Sequence, residues 1–185
     1  MTEKRSGEPN QESYKKLIRN WHKKARNEKD YFSKFVFEYL AFIAIIVKIE
    51  KLRTENKDRT AIQNFKKQYK EKLGEKYSKK INPNLKNLIN YLKEKPLTES
   101  GNLKWWNCSE LRLCMCNGSE QKNDKGVIKD SCDWEHIVEF IYYIRNNLFH
   151  GDKDPEDGRD QCLVEHAYKL LNPLVEILLA EKGTG

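Results

Sequence analysis

The 185-residue chain is 38% hydrophobic and 34% charged, with 9 Gly and 5 Pro. That balance suits one domain around one core and is too poor in turn formers for an all-β protein. The net charge of +7 hides an asymmetry: residues 1–100 hold 25 Lys and Arg against 13 Asp and Glu, whereas residues 101–185 hold 10 against 15. A basic half points to a polyanionic partner, nucleic acid being the commonest, and a Lys-rich solubilising surface is the plainer use of the same charge.

Residues 1–12 are polar, include Gly7 and Pro9, and are expected to be disordered. A single helical domain is expected over residues 13–182. The stretch from Met1 to Ser13 lacks the apolar core of a secretory signal. From about Tyr14 a basic helix is expected, with Leu17, Ile18, Trp21 and Ala25 on one stripe and Lys15, Lys16, Arg19, Lys23, Lys24 and Arg26 on the other faces. These six cations are the candidate RNA-binding residues. Asp30 is placed to cap a second helix running to about Leu52. Its segment Phe35–Val47 is the most apolar run of the chain, interrupted by Glu38. Its 13 residues fall short of the ~20 that a membrane span needs, so a central buried helix is expected and no membrane contact. Five cysteines without an export signal suggest free thiols in a reducing cytoplasm.

After a polar break at Asn56–Arg59, Ile62, Phe65, Tyr69 and Leu73 predict a third helix ending near Gly74. Asn82-Pro83 reads as the start of a fourth, carrying Leu85, Leu88, Ile89 and Leu92 and stopping before Pro96. Residues 97–132 break the pattern. They hold Trp105, Trp106 and four cysteines and predict a long irregular insertion. Cys108, Cys114, Cys116 and Cys132 lack paired Cys-x2-Cys knuckles, so no metal is expected there. Trp105 and Trp106, beside Lys104, could stack on bases, although packing is the commoner use.

Asp133 is placed to cap the next helix, whose stripe is Ile137, Phe140, Ile141, Ile144 and Leu148, with Gly151 as terminator. The acidic loop Asp152–Arg159 fails as a calcium loop because Leu163 falls where the twelfth-position Glu is needed. Asp160 would cap the last helix, with Leu163, Ala167, Leu170, Leu171, Leu174, Ile177 and Leu178 inward and a kink at Pro173. The sum is an all-α antiparallel bundle of five to six helices.

The chemistry concentrates at Arg145-Asn146-Asn147-Leu148-Phe149-His150. Arginine offers a planar fork of donors that matches a phosphate. Histidine, with an ordinary pKa near ~6.5, exchanges a proton at neutral pH. Asparagine can orient the histidine or donate to a phosphate oxygen. Arg145 lies beside the stripe residue Ile144, hence at the edge of the buried face, and His150 lies where the helix ends. Both are expected to converge outside the core. Acting on RNA, such a site uses the 2′-OH as nucleophile and needs no metal.

The run from Ile144 to Gly151, followed by Asp152-Lys153, resembles the Arg-x4–6-His signature of the HEPN superfamily, in which a polar residue, often Asn, follows the Arg. The resemblance covers about residues 140–180, extends less closely over 30–50, where Phe35–Ile46 is similar to the family's first core helix, and does not reach 97–132. It implies that Arg145 and His150 are catalytic and Asn146 supporting, in a homodimer whose two-fold interface completes the site. It implies an endoribonuclease without cofactor or metal, leaving 2′,3′-cyclic phosphate ends. It also implies a toxin or antiviral defence role with an antitoxin or defence partner protein. Some family toxins carry His-x-Tyr, whose Tyr a partner enzyme modifies. Asp152 stands at that place here, so such control is not expected. A non-catalytic member binding RNA, a nucleotide or a protein partner is the alternative.

Overall fold

The computed structural model describes residues 11–54, 57–95, 97–99, 103–105 and 128–181. Over them the chain is an antiparallel all-helical bundle: α1 (Gln11–Asn27), α2 (Tyr31–Ala44), α3 (Asp58–Glu94), α4 (Trp134–Phe149) and α5 (Gly158–Glu181). The expected insertion contains a short antiparallel ribbon that the sequence pattern does not announce, β1 (Leu97–Glu99) paired with β2 (Leu103–Trp105). Residues 106–127, with Trp106, Cys108, Cys114 and Cys116, lie outside the described residues, as do residues 1–10 and the side chain of Trp105. The expectations of tail disorder, thiol chemistry and base stacking fall there. Gln11 and Glu12 already belong to α1.

Asp30 caps α2 as its position predicts. Its carboxylate accepts from the Ser33 N–H at 2.7 Å, and that bond holds the acid below the usual carboxylate range. The apolar run does not continue as one α-helix to Leu52. At Ile45–Ile49 the helix widens into a π turn, with Ile45 and Ile46 buried, and the chain leaves through Lys51 at φ +53°. A π turn accommodates one extra residue within a turn, and such turns recur at functional sites.

The largest departure is α3. Two helices are expected across 62–92, but one helix of 37 residues runs through both Gly74 and Pro83. The reason is a continuous inward stripe. Ile62, Phe65, Tyr69, Leu73, Tyr77, Ile81, Leu85, Leu88 and Leu92 are all buried, each three or four positions after the last. An interior proline costs ~3 kcal/mol. Burying even two Leu or Ile side chains at ~1.5–3 kcal/mol each offsets it. Asn82 is therefore an exposed mid-helix residue and caps nothing.

Around α3 two buried polar groups find backbone partners. Tyr77 Oη donates to the Leu170 carbonyl of α5 at 2.8 Å. Trp134 Nε1 of α4 donates to the Lys66 carbonyl at 2.9 Å, and its ring meets Phe65 and Tyr77. In α5 the expected inward set, Leu163, Ala167, Leu170, Leu171, Leu174, Ile177 and Leu178, is buried, and the helix continues through Pro173 to Glu181. Its cap is Asp157, whose Oδ1 accepts from the Arg159 and Asp160 N–H groups, both at 2.9 Å. Asp160, expected to be the cap, instead binds Lys153 at 2.6 Å and the Asp154 N–H at 2.9 Å. No helix among the described residues is long and apolar enough to cross a membrane.

Candidate functional site

The end of α4 is shaped by hydrogen bonds that its sequence makes available. Gly151 takes φ +79°, a conformation glycine adopts without a Cβ clash. From there the Gly151 N–H reaches the Leu148 carbonyl at 3.3 Å and the Asp152 N–H reaches the Asn147 carbonyl at 2.8 Å. This is a Schellman ending. It makes His150 the C-cap residue, with its own N–H on the Asn146 carbonyl. Upstream, Ile137, Phe140, Ile141 and Ile144 are buried, so Arg145 is carried to the edge of the core and His150 to the exposed rim.

Arg145 is partly buried there, its side chain 21% exposed. Its Nη2 donates to Asp58 Oδ2 at 3.1 Å and its Nη1 to Asn146 Oδ1 at 3.0 Å. The guanidinium carbon lies 5.4 Å from the Tyr39 ring centre and 4.9 Å from that of Phe149. Two aromatic rings therefore flank the guanidinium. Its Nε is buried and lacks a hydrogen-bond partner, as does Tyr39 Oη. Burial drives the Tyr39 hydroxyl well above the usual phenol range, against the pull of Arg145. Phe149 is 49% exposed, one of two large apolar side chains that stand out in water among the described residues.

Of the expected site residues, Arg145 bonds its chain neighbour Asn146. His150 is not brought to them: no hydrogen bond or ion pair joins its ring to Arg145 or Asn146. Five residues along an ideal helix correspond to about 140° of rotation and about 7.5 Å of rise. The two side chains of one copy therefore leave α4 on different sides. Asp58, Tyr39 and the exposure of Phe149 escape sequence reasoning. Asp58 is 87 positions from Arg145, and nothing local marks it.

Comparison with family models, with curated proteins and with solved structures finds no match.

Next to Asp58, Arg59 pairs with Glu139 of α4 at 2.5 Å and lies over the Tyr142 ring. Lys66, only 3% exposed, reaches the other oxygen of Glu139 at 2.9 Å. Burial opposes ionisation of Glu139, and the two cations outweigh it, holding that acid below its usual range. Tyr142 is half-buried beside this pair. The expected basic helix α1 exposes Lys16, Arg19, Lys23, Lys24 and Arg26. Within it Lys15 pairs with Glu12 at 2.8 Å, and Lys24 pairs with Glu28 at 2.5 Å. Of the insertion cysteines, Cys132 is described and exposed. Its neighbour His136 binds Asp133 at 2.6 Å, and Asp133 stands at the N-cap of α4 without a side-chain cap bond.

A second polar group lies deep in the bundle. Glu38 of α2 is fully buried. It meets His22 Nδ1 of α1 at 2.9 Å and Asn172 Nδ2 of α5 at 3.1 Å. Desolvation dominates and raises the Glu38 pKa despite both partners. The sequence signal for this group is a lone carboxylate inside the most apolar run.

Proposed function

We propose that this chain is a metal-independent endoribonuclease of the HEPN type, acting as a toxin or defence effector. Arg145 binds the scissile phosphate and stabilises the charge that builds on its oxygens. His150 exchanges the proton of the 2′-OH or of the leaving 5′-oxygen. Asn146 holds the guanidinium in place. The attack of the 2′-oxygen on phosphorus breaks the bond to the 5′-oxygen, so the products are a 2′,3′-cyclic phosphate and a 5′-OH. The observation that carries this reading is a guanidinium oriented by Tyr39, Phe149 and Asn146 at the end of a helix whose C-cap is an exposed histidine. Because His150 and Arg145 of one copy diverge, the reading requires a second copy, related by a two-fold axis, to bring its His150 to this Arg145.

The pairing of Arg145 with Asp58 and Asn146 favours a second reading, a non-catalytic module that binds RNA, a nucleotide or a protein partner. Incubating total RNA with wild type, Arg145→Ala and His150→Ala in EDTA separates the two. The nuclease yields new 5′-OH ends, lost by a factor of at least about 10² in each variant, in line with removal of a general acid–base or charge-stabilising group. Intact RNA with wild type, or cleavage that persists in both variants, overturns it.

A further inference from the structure

We infer that Asp58 is the resting counterion of Arg145, and that an incoming phosphate must displace it, so that Asp58 sets the affinity and selectivity of the anion site. The inference rests on Arg145 being the phosphate clamp.

The geometry supplies the reason. Arg145 has one Nη on Asn146 and the other on a single oxygen of Asp58, at 3.1 Å. Asp58 is a first-turn acid of α3, and that helix end favours its negative charge. Its side chain is 28% exposed and that of Arg145 is 21% exposed. The pair therefore lies where solvent or a solute reaches it. A single contact between two partly exposed charges remains open to competition from water and salt. The Tyr39 and Phe149 rings keep the guanidinium plane where it is when the carboxylate leaves. Nη2 is then released toward a new anion from a fork that is already oriented. A phosphodiester presents oxygens of the same charge as the carboxylate, so Asp58 and a phosphate cannot both occupy Nη2. A weak or singly contacting anion fails to displace Asp58. A polyanion held elsewhere on the surface succeeds, because its effective concentration at the site is high.

The test uses the full chain and a 2′-O-methyl oligonucleotide, which binds without being cut, so binding is read apart from cleavage. Asp58→Asn removes the competing charge and is expected to tighten binding by up to about fivefold, the range of a partly exposed pair. Removing an acid also relieves general repulsion, so the same substitution is made in Arg145→Ala. There the gain should vanish. An equal gain in both backgrounds, or weaker binding by Asp58→Asn at unchanged thermal stability, overturns the proposal. Asp58→Ser serves as a second variant should the Asn protein melt early.

Inorganic phosphate is the second probe, read on the Arg145 Nε–H resonance. The proposal expects a shift at lower phosphate concentration in Asp58→Asn than in wild type, whether or not RNA is the ligand. Identical titrations overturn the role of Asp58 and leave the nuclease reading standing. An Asp58-dependent shift without any RNA cleavage keeps the anion site and removes the nuclease.

Discussion

Among single residues, Glu38 shows how burial and pairing compete. Its carboxylate is fully buried between His22 and Asn172, and desolvation raises its pKa despite both partners. A folded pKa above the unfolded one means the folded state holds the proton more tightly. The associated stability is present below the ordinary value of 4.5 and is lost as pH rises through the folded value. Glu38→Gln keeps the shape and removes the charge. Relative to wild type, its melting temperature should therefore improve progressively as pH is raised from about 4.5 to 7. A difference that stays constant, or that grows in favour of wild type, would show that the pairing with His22 outweighs desolvation. Glu139 has the opposite sign: Lys66 and Arg59 hold its pKa down, so its contribution is lost as pH falls below the ordinary carboxylate range.

At the scale of elements, α3 and the end of α4 teach different lessons about breakers. Gly151 terminates α4 because the core stripe ends there and its φ of +79° suits glycine. Pro83 does not terminate α3, because Ile81, Leu85, Leu88 and Leu92 continue to bury on the same side. Pro83 itself is exposed, and it leaves the Lys79 carbonyl without its intrahelical donor. Pro83→Ala should restore that bond and stabilise the fold by about 1–3 kcal/mol, or roughly 2–4 °C per kcal/mol for a chain of this size. Differential scanning calorimetry reads it directly. A lower melting temperature would mean that α3 is bent around the proline and needs it.

Across the whole molecule, the opposed charges of the two halves meet inside one bundle. Lys70 faces Glu135 at 3.1 Å, Lys72 and Lys76 face Glu181 at 2.9 and 3.8 Å, and Lys80 faces Glu176 at 3.5 Å. Much of the positive charge of α3 is therefore spent on α4 and α5. Of the six cations of α1, Lys15 pairs with Glu12 and Lys24 with Glu28. Replacing Lys16, Lys23 and Arg26 with Gln is accordingly expected to weaken oligonucleotide binding and to lower the slope of log K on log salt by about 2, near 0.7 per phosphate contact on a single strand. Replacing Lys72, Lys76 and Lys80 should change that slope less. If the α3 set proves the more costly to lose, α1 is not the binding surface.

Local pattern by itself determined the helical class, the inward stripes of α3 and α5 and most of that of α4, the Asp30 cap, the Gly151 ending and the placement of Arg145 at the edge of the core, whereas Leu17, expected on the inward stripe of α1, is exposed. Each depends on residues within a turn or two of one another, where the 3.6-residue period and cap chemistry act directly. Tertiary structure alone decided that α3 is one helix, that α2 ends in a π turn, and that Asp58 and Tyr39 meet Arg145. Those outcomes depend on which distant surfaces meet. Packing free energy overrode the local signal of Pro83, and an ion pair spanning 87 positions leaves no trace in the periodicity of either helix.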